Sequence, residues 1–344
     1  MKTYKSMSRG RLEEILNRMS GVRIGLIGDI CLDVYWYADM CRSELSRETP
    51  HYPLPIVDER MSLGGGANVA ANIAALKPKN VKVISTIGAD WRGRELTKLM
   101  RNLEIDISSI FSDEDCITNT YIKPVRKGFS DVVYEDPRLD FTSYKPLSHR
   151  IEKLLIASLE AAVDSLDVLC VSDQMPFGIL TERVREHICK LAGNGLCVVA
   201  DSRYHIEQFT GCILKPNELE GAKAAGLDPA SLHNVEDYAR AGSVLAEKTN
   251  SSVFMTLGAR GSLVVDAQQV WYIPAREIAG PVDFCGAGDS SLSGFALSLA
   301  AGAQPEESAY IAGLCSEVSI RQIGITGTAS REQVLDWHAE AKVR

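Results

Sequence analysis

Short apolar runs separated by helix-period segments constrain this sequence more than any other feature. Val22 to Ile27 is compact and apolar and stops at Gly28-Asp29, as a buried strand does where it meets a loop at its carboxyl end. Runs of the same kind follow at Val81 to Ile87, Val168 to Ser172, Cys197 to Asp201, Gly211 to Leu214 and Ser252 to Leu257. Helical patterns lie among them: Arg11 to Met19, Ala67 to Leu76, Arg94 to Asn102, Arg150 to Ser165, Leu180 to Ala192 and Val235 to Lys248. Strand and helix alternating in this way imply right-handed crossovers, hence an α/β fold whose mostly parallel sheet is covered on both faces. Ligands on such sheets sit beyond the carboxyl ends of the strands.

Two stretches break the alternation. Asp33 to Met61 and Ile117 to Asp136 hold the β-prone segments Val34 to Tyr37, Leu54 to Val57, Thr120 to Val125 and Asp131 to Tyr134. They predict a small antiparallel sheet projecting from the main one as a lid, built from about residues 34–62 and 117–136. No low-complexity linker marks a boundary, so residues 1–344 read as one domain with a lid.

Composition excludes several classes. A formal charge of −8 argues against a general nucleic-acid surface, although a phosphate site needs only a local cluster of donors. Met1 to Arg18 is charged and lacks an apolar signal core, and no apolar run is long enough to cross a bilayer, so neither secretion nor a membrane anchor is expected. Nine cysteines without a close CxxC pair form neither a disulfide framework nor a zinc pattern. Several, such as Cys170 and Cys197, sit in strand-like runs as small hydrophobes, which suits a reducing, cytoplasmic setting. The six histidines are scattered, with no HExxH.

The sharpest chemical feature is Asp283-Phe284-Cys285-Gly286-Ala287-Gly288-Asp289, followed by an Ala-, Leu- and Ser-rich segment that ends at Gly302. Gly286, Ala287 and Gly288 then stand at a helix entrance, where unpaired N–H groups and the positive dipole end favour an anion. Asp289 falls in the first turn facing that anion, where a carboxylate stays ionised and accepts a proton. A base beside an oxyanion cradle is what phosphoryl transfer to an alcohol requires. A helix with an acidic first turn and a glycine-rich entry loop is the plain alternative.

Leu63-Gly64-Gly65-Gly66-Ala67-Asn68 precedes an Ala-rich helix. Gly64 and Gly65 let a small ligand touch backbone and Asn68 offers an amide to hydroxyls, or the same residues serve only tight helix–sheet packing, the role expected of Asn72. After the first strand, Asp29 reads as a turn residue and Asp33 as a carboxylate for vicinal hydroxyls. In Lys215-Pro216-Asn217-Glu218-Leu219-Glu220, Asn217 and Glu220 make a capping box or hold the water shell of Mg²⁺. Thr256, Gly258 and Gly261 close a strand as either a hairpin turn or a bed for nucleotide phosphates. A Walker A sequence is absent, which excludes a P-loop kinase.

These segments, in this order, resemble the PfkB/ribokinase family across nearly the whole chain. The Gly-Gly…Asn segment and Asp-x-x-Gly-Ala-Gly-Asp are similar to its two signatures. Within that family, Gly28-Asp29-Ile30-Cys31-Leu32-Asp33-Val34-Tyr35-Trp36 looks like the start of the heptose-7-phosphate kinases that feed ADP-heptose synthesis. Ser46-Arg47-Glu48-Thr49-Pro50, Gly64 to Ala70 and Arg138-Leu139-Asp140 add to the likeness. The resemblance implies a ribokinase-like three-layer α/β/α fold and a kinase using ATP and Mg²⁺. It implies Asp289 as catalytic base, Gly286 to Gly288 as anion hole, and Asp33, Gly64, Gly65 and Asn68 at the sugar. It also implies Asn217 and Glu220 near Mg²⁺, Thr256, Gly258 and Gly261 along the nucleotide, and Asp283 as ligand to a monovalent cation, K⁺. The lid is implied as the contact of a homodimer. Three positions depart from the family pattern: Phe284 replaces Thr or Val, Gly313 stands where a polar residue near adenine is usual, and Ser172 to Gly178 lacks the lysine of heptose kinases.

The expected activity is ATP-dependent phosphorylation of a sugar or sugar phosphate, with no nucleic-acid or membrane partner. A phosphate already on the acceptor needs charged donors, for which Lys123, Arg126, Lys127, Arg138 and Arg203 are the candidates. Two other readings stay open: a nucleoside or vitamin alcohol as acceptor, stacked on Tyr35, Trp36, Tyr37 or Tyr52, and a non-catalytic sugar or nucleotide sensor.

Overall fold

The computed structural model describes residues 1–130 and 132–340. Its main sheet has ten strands. In spatial order they are Lys2–Thr3, Val270–Ile273, Ser262–Val265, Val253–Thr256, Ile213–Leu214, Cys197–Ser202, Val168–Asp173, Arg23–Gly28, Asn80–Gly88 and Asp106–Asp113. From Val253–Thr256 to Asp106–Asp113 every neighbouring pair is parallel. Ser262–Val265 runs antiparallel to both its neighbours.

Successive side chains along the strands face opposite sides and divide the core in two. Ile24, Leu26, Val168, Cys170 and Phe254 face one side, packing with helices Arg9–Arg18, Gly66–Ala75, Ala287–Ala300 and Pro305–Ile320. Ile27, Leu169, Val171, Val198 and Met255 face the other, under helices His149–Ala162, Glu182–Gly193 and Val235–Thr249. A strand buried on both faces has no polar alternation to show, which is why these strands read as continuous apolar runs. The result is the three-layer α/β/α arrangement the alternation called for.

The last part of the chain is less legible. Helix Pro305–Ile320 is buried around most of its circumference, so it lacks the amphipathic period that marks a surface helix. Helix Arg331–Glu340 packs against it. Strand Val253–Thr256 ends in the turn that was one of the two readings of Thr256 to Gly261, and the hairpin continues through Val270–Ile273, next to the edge strand Lys2–Thr3.

The second sheet joins Ile56–Gly65, Ile30–Asp39, Thr120–Lys127 and Val133–Glu135, with Leu139–Phe141 also paired to Thr120–Lys127. Its central pair, Ile30–Asp39 with Thr120–Lys127, is parallel, so the sheet is mixed rather than antiparallel. The crossover between those two strands passes through the main sheet, which a hairpin-based reading of isolated β-prone segments misses. Leu139–Phe141 lies beyond the expected limit at residue 136; it is too short for a period to register. Of the segment Asp131 to Tyr134, Asp131 lies outside the described residues. Among the described residues no helix is long and apolar enough to cross a membrane.

The two sheets meet at one corner. Strand Arg23–Gly28 ends in the main sheet and Ile30–Asp39 starts in the second, with Asp29 between them. Asp29 accepts the N–H groups of Gln174, Met175 and Ile179 at 3.0, 2.9 and 2.8 Å, so it knits the corner to the neighbouring loop, the structural part foreseen for it. Gly66 N donates back to the Asp29 carbonyl at 2.8 Å.

Candidate active site

The parallel strands open their carboxyl ends onto one cleft of about 1010 Å³. One wall is the second sheet, contributing Asp33, Gly64, Tyr121, Lys123 and Arg138. The other end is shaped by the Thr256–Gly261 turn and the segment after Ile273.

Helix Ala287–Ala300 points its N-terminus into this cleft, with Gly286 as N-cap in the left-handed region (φ 80°). A Cβ on Gly286 would lie 2.9 Å from Asn68 Nδ2 and 3.1 Å from Thr326 Cγ2, so conformation and space both call for glycine. No side chain caps this helix. The amides of Gly286 and Gly288 have no protein acceptor among the described residues, whereas Ala287 N–H donates to Phe284 O at 3.2 Å and closes the turn. Of the three amides expected to bind an anion, Ala287 is therefore already engaged.

Asp289 occupies the third position of the helix and accepts from Asn68 Nδ2 at 2.6 Å. Burial pushes its carboxyl up to about 7, against the pull of the Asn68 hydrogen bond, with Asp201 adding to the rise and Lys215 opposing it. A carboxylate poised there is matched to taking a proton near neutral pH. Asn68 is also held from behind: its Oδ1 accepts from Asn72 Nδ2 at 3.2 Å, and Asn72 Oδ1 accepts from Ser290. Asn68 thus turns its amide to Asp289, not to the open cleft, and Asn72 is the polar brace behind it.

Asp33 is 5% exposed and faces Gly64, where a Cβ would sit only 2.5 Å from its Oδ1. Thr326 Oγ1 donates to Asp33 Oδ2 at 3.5 Å. Burial pushes the Asp33 carboxyl up, while Lys123 and Arg138 pull it down. Lys123 Nζ donates to Tyr35 OH at 3.0 Å, and Arg138 stacks 4.0 Å from the Tyr121 ring centroid while pairing with Asp140 at 2.6 Å. Arg203 lines the same end. Arg126 does not. Tyr121 and Lys123 share one face of strand Thr120–Lys127, and Arg126, an odd number of residues away, falls on the other, paired with Asp136 at 2.7 Å. Nor do Tyr35, Trp36, Tyr37 and Tyr52 line the cleft. Tyr35 is buried beneath Arg60, and Trp36 Nε1 donates to Glu59 at 2.6 Å.

Deeper in the cleft Lys215 Nζ, 4% exposed, donates to Asp201 Oδ2 at 2.6 Å. Burial opposes the lysine's charge, but Asp201 outweighs it and holds the ammonium above its usual range. The space for a Cβ on Gly288 lies 3.7 Å from Lys215 Nζ, which puts a fixed cation beside the helix entrance. Sequence reasoning gave neither residue a role; the only signal was an Asp ending one strand and a Lys following the next.

Asn217 and Glu220 form the capping box: Asn217 Oδ1 accepts from Leu219 N and Glu220 N at 2.9 Å, and Glu220 Oε2 accepts from Asn217 N at 2.9 Å. The box leaves Asn217 Nδ2 and Glu220 Oε1, and both residues line the cleft. Burial holds Glu220 above the usual carboxylate range, opposed by the Asn217 N–H. Glu220 Oε1 is then the oxygen that suits the water shell of Mg²⁺, whereas Asn217 Nδ2 is a donor and offers a metal no lone pair. Thr256, Gly258 and Gly261 all line the cleft. Leu257 N donates to Gly261 O at 2.8 Å, and a Cβ on Gly261 (φ 100°) would fall 2.1 Å from Ile273 O. Asp283 sits behind the cleft surface, its Oδ1 accepting from Cys285 N and its Oδ2 from Gly324 N, each at 3.0 Å. Phe284, 69% exposed, and Gly313 both line the cleft.

Residues 34–331 match the family described as pfkB family carbohydrate kinase. The bifunctional protein HldE of Pelobacter propionicus is 29% identical over 333 residues, an overlap covering 95% of this chain and 65% of that protein. The chain therefore spans just under two thirds of that relative. In three dimensions it is similar to Escherichia coli phosphofructokinase-2 solved with potassium, with a TM-score of 0.74 at 19% identity, covering 93% of this chain and 99% of that one. Arabidopsis thaliana ribokinase, solved with ribose and ATP, gives 0.69 at 18%, covering 92% and 99%.

Proposed function

Because the chain belongs to the pfkB family of carbohydrate kinases, we propose that it transfers a phosphoryl group from ATP to a hydroxyl of a sugar or sugar phosphate with Asp289 as base. The observation that carries this reading is the pairing of a carboxyl poised near neutrality with an uncapped helix N-terminus. The acceptor hydroxyl lies against Asp33 and Asp289, and Asn68 aims the Asp289 carboxylate at it. Asp289 takes the proton as oxygen bonds to the γ-phosphorus and the bond from that phosphorus to the bridging oxygen breaks, with ADP leaving. The Gly286 and Gly288 amides, with Lys215 beside them, receive the charge on the transferring group. Glu220, beside Asn217, would hold Mg²⁺ through water, and the metal would supply charge neutralisation to the phosphates. The nucleotide lies along Thr256, Gly258 and Gly261. Asp283 keeps lone pairs for K⁺ beyond its two backbone bonds.

The second sheet acts as a lid of the single domain, excluding water that would otherwise hydrolyse ATP. Its exposed apolar residues Ile56, Val57, Val133 and Tyr134 favour it as the contact of a homodimer. A phosphorylated acceptor suits the cationic end formed by Lys123, Arg138 and Arg203. An ATP-consumption screen across free sugars and sugar phosphates tests the proposal. Turnover confined to phosphosugars supports it in full, turnover of neutral sugars alone removes the phosphate preference, and ATP binding without turnover of any acceptor leaves a sensor.

A further inference from the structure

Arg60 joins the second sheet to the helix entrance, and no step of the proposed reaction uses it. It lies across from Tyr35 in the antiparallel pair, with its guanidinium 4.4 Å from the ring centroid. From there Nη2 donates to Gly324 O at 2.5 Å. Gly324 N donates to Asp283 Oδ2 and Cys285 N donates to Asp283 Oδ1, both at 3.0 Å, so the loop carrying Gly324 is tied to the turn that leads into Gly286. Two residues further on, Thr326 bonds Asp33 and walls the space beside Gly286. An unbroken set of contacts therefore runs from Tyr35 through Arg60, Gly324 and Asp283 to the anion turn, with a branch to the carboxylate at the acceptor end. Tyr35 is itself fixed at its hydroxyl by Lys123, which lines the cleft. Only a planar guanidinium can lie flat on the ring and still direct an edge N–H at a carbonyl; an ammonium offers no such division of labour.

We infer that Arg60 is a positioning residue: it ties the second sheet to loop 321–328 so that the anion turn holds its working geometry when that sheet is seated over the cleft. The inference rests on the kinase reading of Gly286 to Asp289. Arg60→Met keeps apolar contact with Tyr35 and removes the donors; Arg60→Lys keeps the charge without the fork. Displacing a transition-state cradle by about 1 Å costs up to about 100-fold, so kcat of Arg60→Met should fall about 10- to 100-fold with KM for ATP changed less than about twofold. Arg60→Lys should recover part of the loss. In ligand-free protein, amide hydrogen exchange should quicken across 283–288 and 321–328 in Arg60→Met and stay unchanged in the central strands. If Arg60→Met folds poorly, the exchange pattern of Arg60→Lys decides the matter. Unchanged exchange in both segments, turnover within about twofold of the parent, or equal losses in kcat, KM and thermal stability would each overturn the inference. Asp289→Asn run in parallel separates the two levels. Should that variant stay active, the kinase reading of the turn fails; should it be inactive while Arg60→Met turns over normally, only the role of Arg60 fails.

Discussion

Replacing Asp289 by Asn should abolish most turnover and yet make the protein more stable, and the two effects come from the same burial. The carboxyl accepts from Asn68 Nδ2 at 2.6 Å, and an asparagine keeps an oxygen for that bond while losing the ability to take a proton. Loss of a general base costs about 10²- to 10⁴-fold in kcat. Burial raises the carboxyl from 3.8 to about 7, which at 1.36 kcal/mol per unit is about 4 kcal/mol between its two protonation states. Water in the cleft screens part of this, so about 1–2 kcal/mol should be relieved by a neutral side chain. The native state holds the proton more tightly than the unfolded chain, so stability falls as pH rises from 3.8 to about 7 and the penalty is complete above that window. Asp289→Asn should therefore melt about 1–3 °C higher than the parent at pH 8 and at the same temperature near pH 4. Calorimetry at the two pH values, beside a coupled ATP-consumption assay, checks both halves. Near-parental turnover in the folded variant refutes the base; a Tm difference that does not shrink at low pH refutes the buried-charge argument.

Metal removal and single substitutions around the cleft have expected outcomes as well. EDTA should abolish activity and added Mg²⁺ restore it, and equal rates in K⁺ and in a bulky organic cation would remove Asp283 as a cation ligand. Arg203→Ala should raise KM for a phosphorylated acceptor about tenfold or more with kcat little changed, because a remote phosphate is bound alike in ground and transition states. Arg126→Ala, on the opposite strand face, should leave that KM within about twofold, and a steep loss there would show that the acceptor reaches beyond the cleft seen here. Gly64→Ala would place a methyl carbon 2.5 Å from Asp33 Oδ1, so acceptor KM should rise while affinity for ATP, measured by titration calorimetry, holds steady.

Local pattern was enough to single out several residues of the proposed site. Gly286 and Gly64 stood out as glycines because their positions admit nothing larger, and Asp289 because it follows them at a helix start. Other residues make contacts that local pattern does not show. Ala287 was grouped with its neighbours, but its N–H is spent inside the turn. Arg126 was grouped with Lys123, but strand alternation sends it to the other face. Asn68, expected at the ligand, donates to the Asp289 carboxylate.

The sequence alone determined the layered α/β architecture, since apolar runs and helical periods are properties of consecutive residues. It also determined the glycine- and aspartate-bearing helix entrance, a motif contained in seven consecutive positions. Tertiary structure decided which charges meet. Lys215 pairs with Asp201 because neighbouring parallel strands end side by side, and Arg60 reaches Gly324 across more than 260 residues of chain. Such pairs depend on the register of strands and the seating of one sheet on another, which arise from packing among distant segments and leave no period in the sequence.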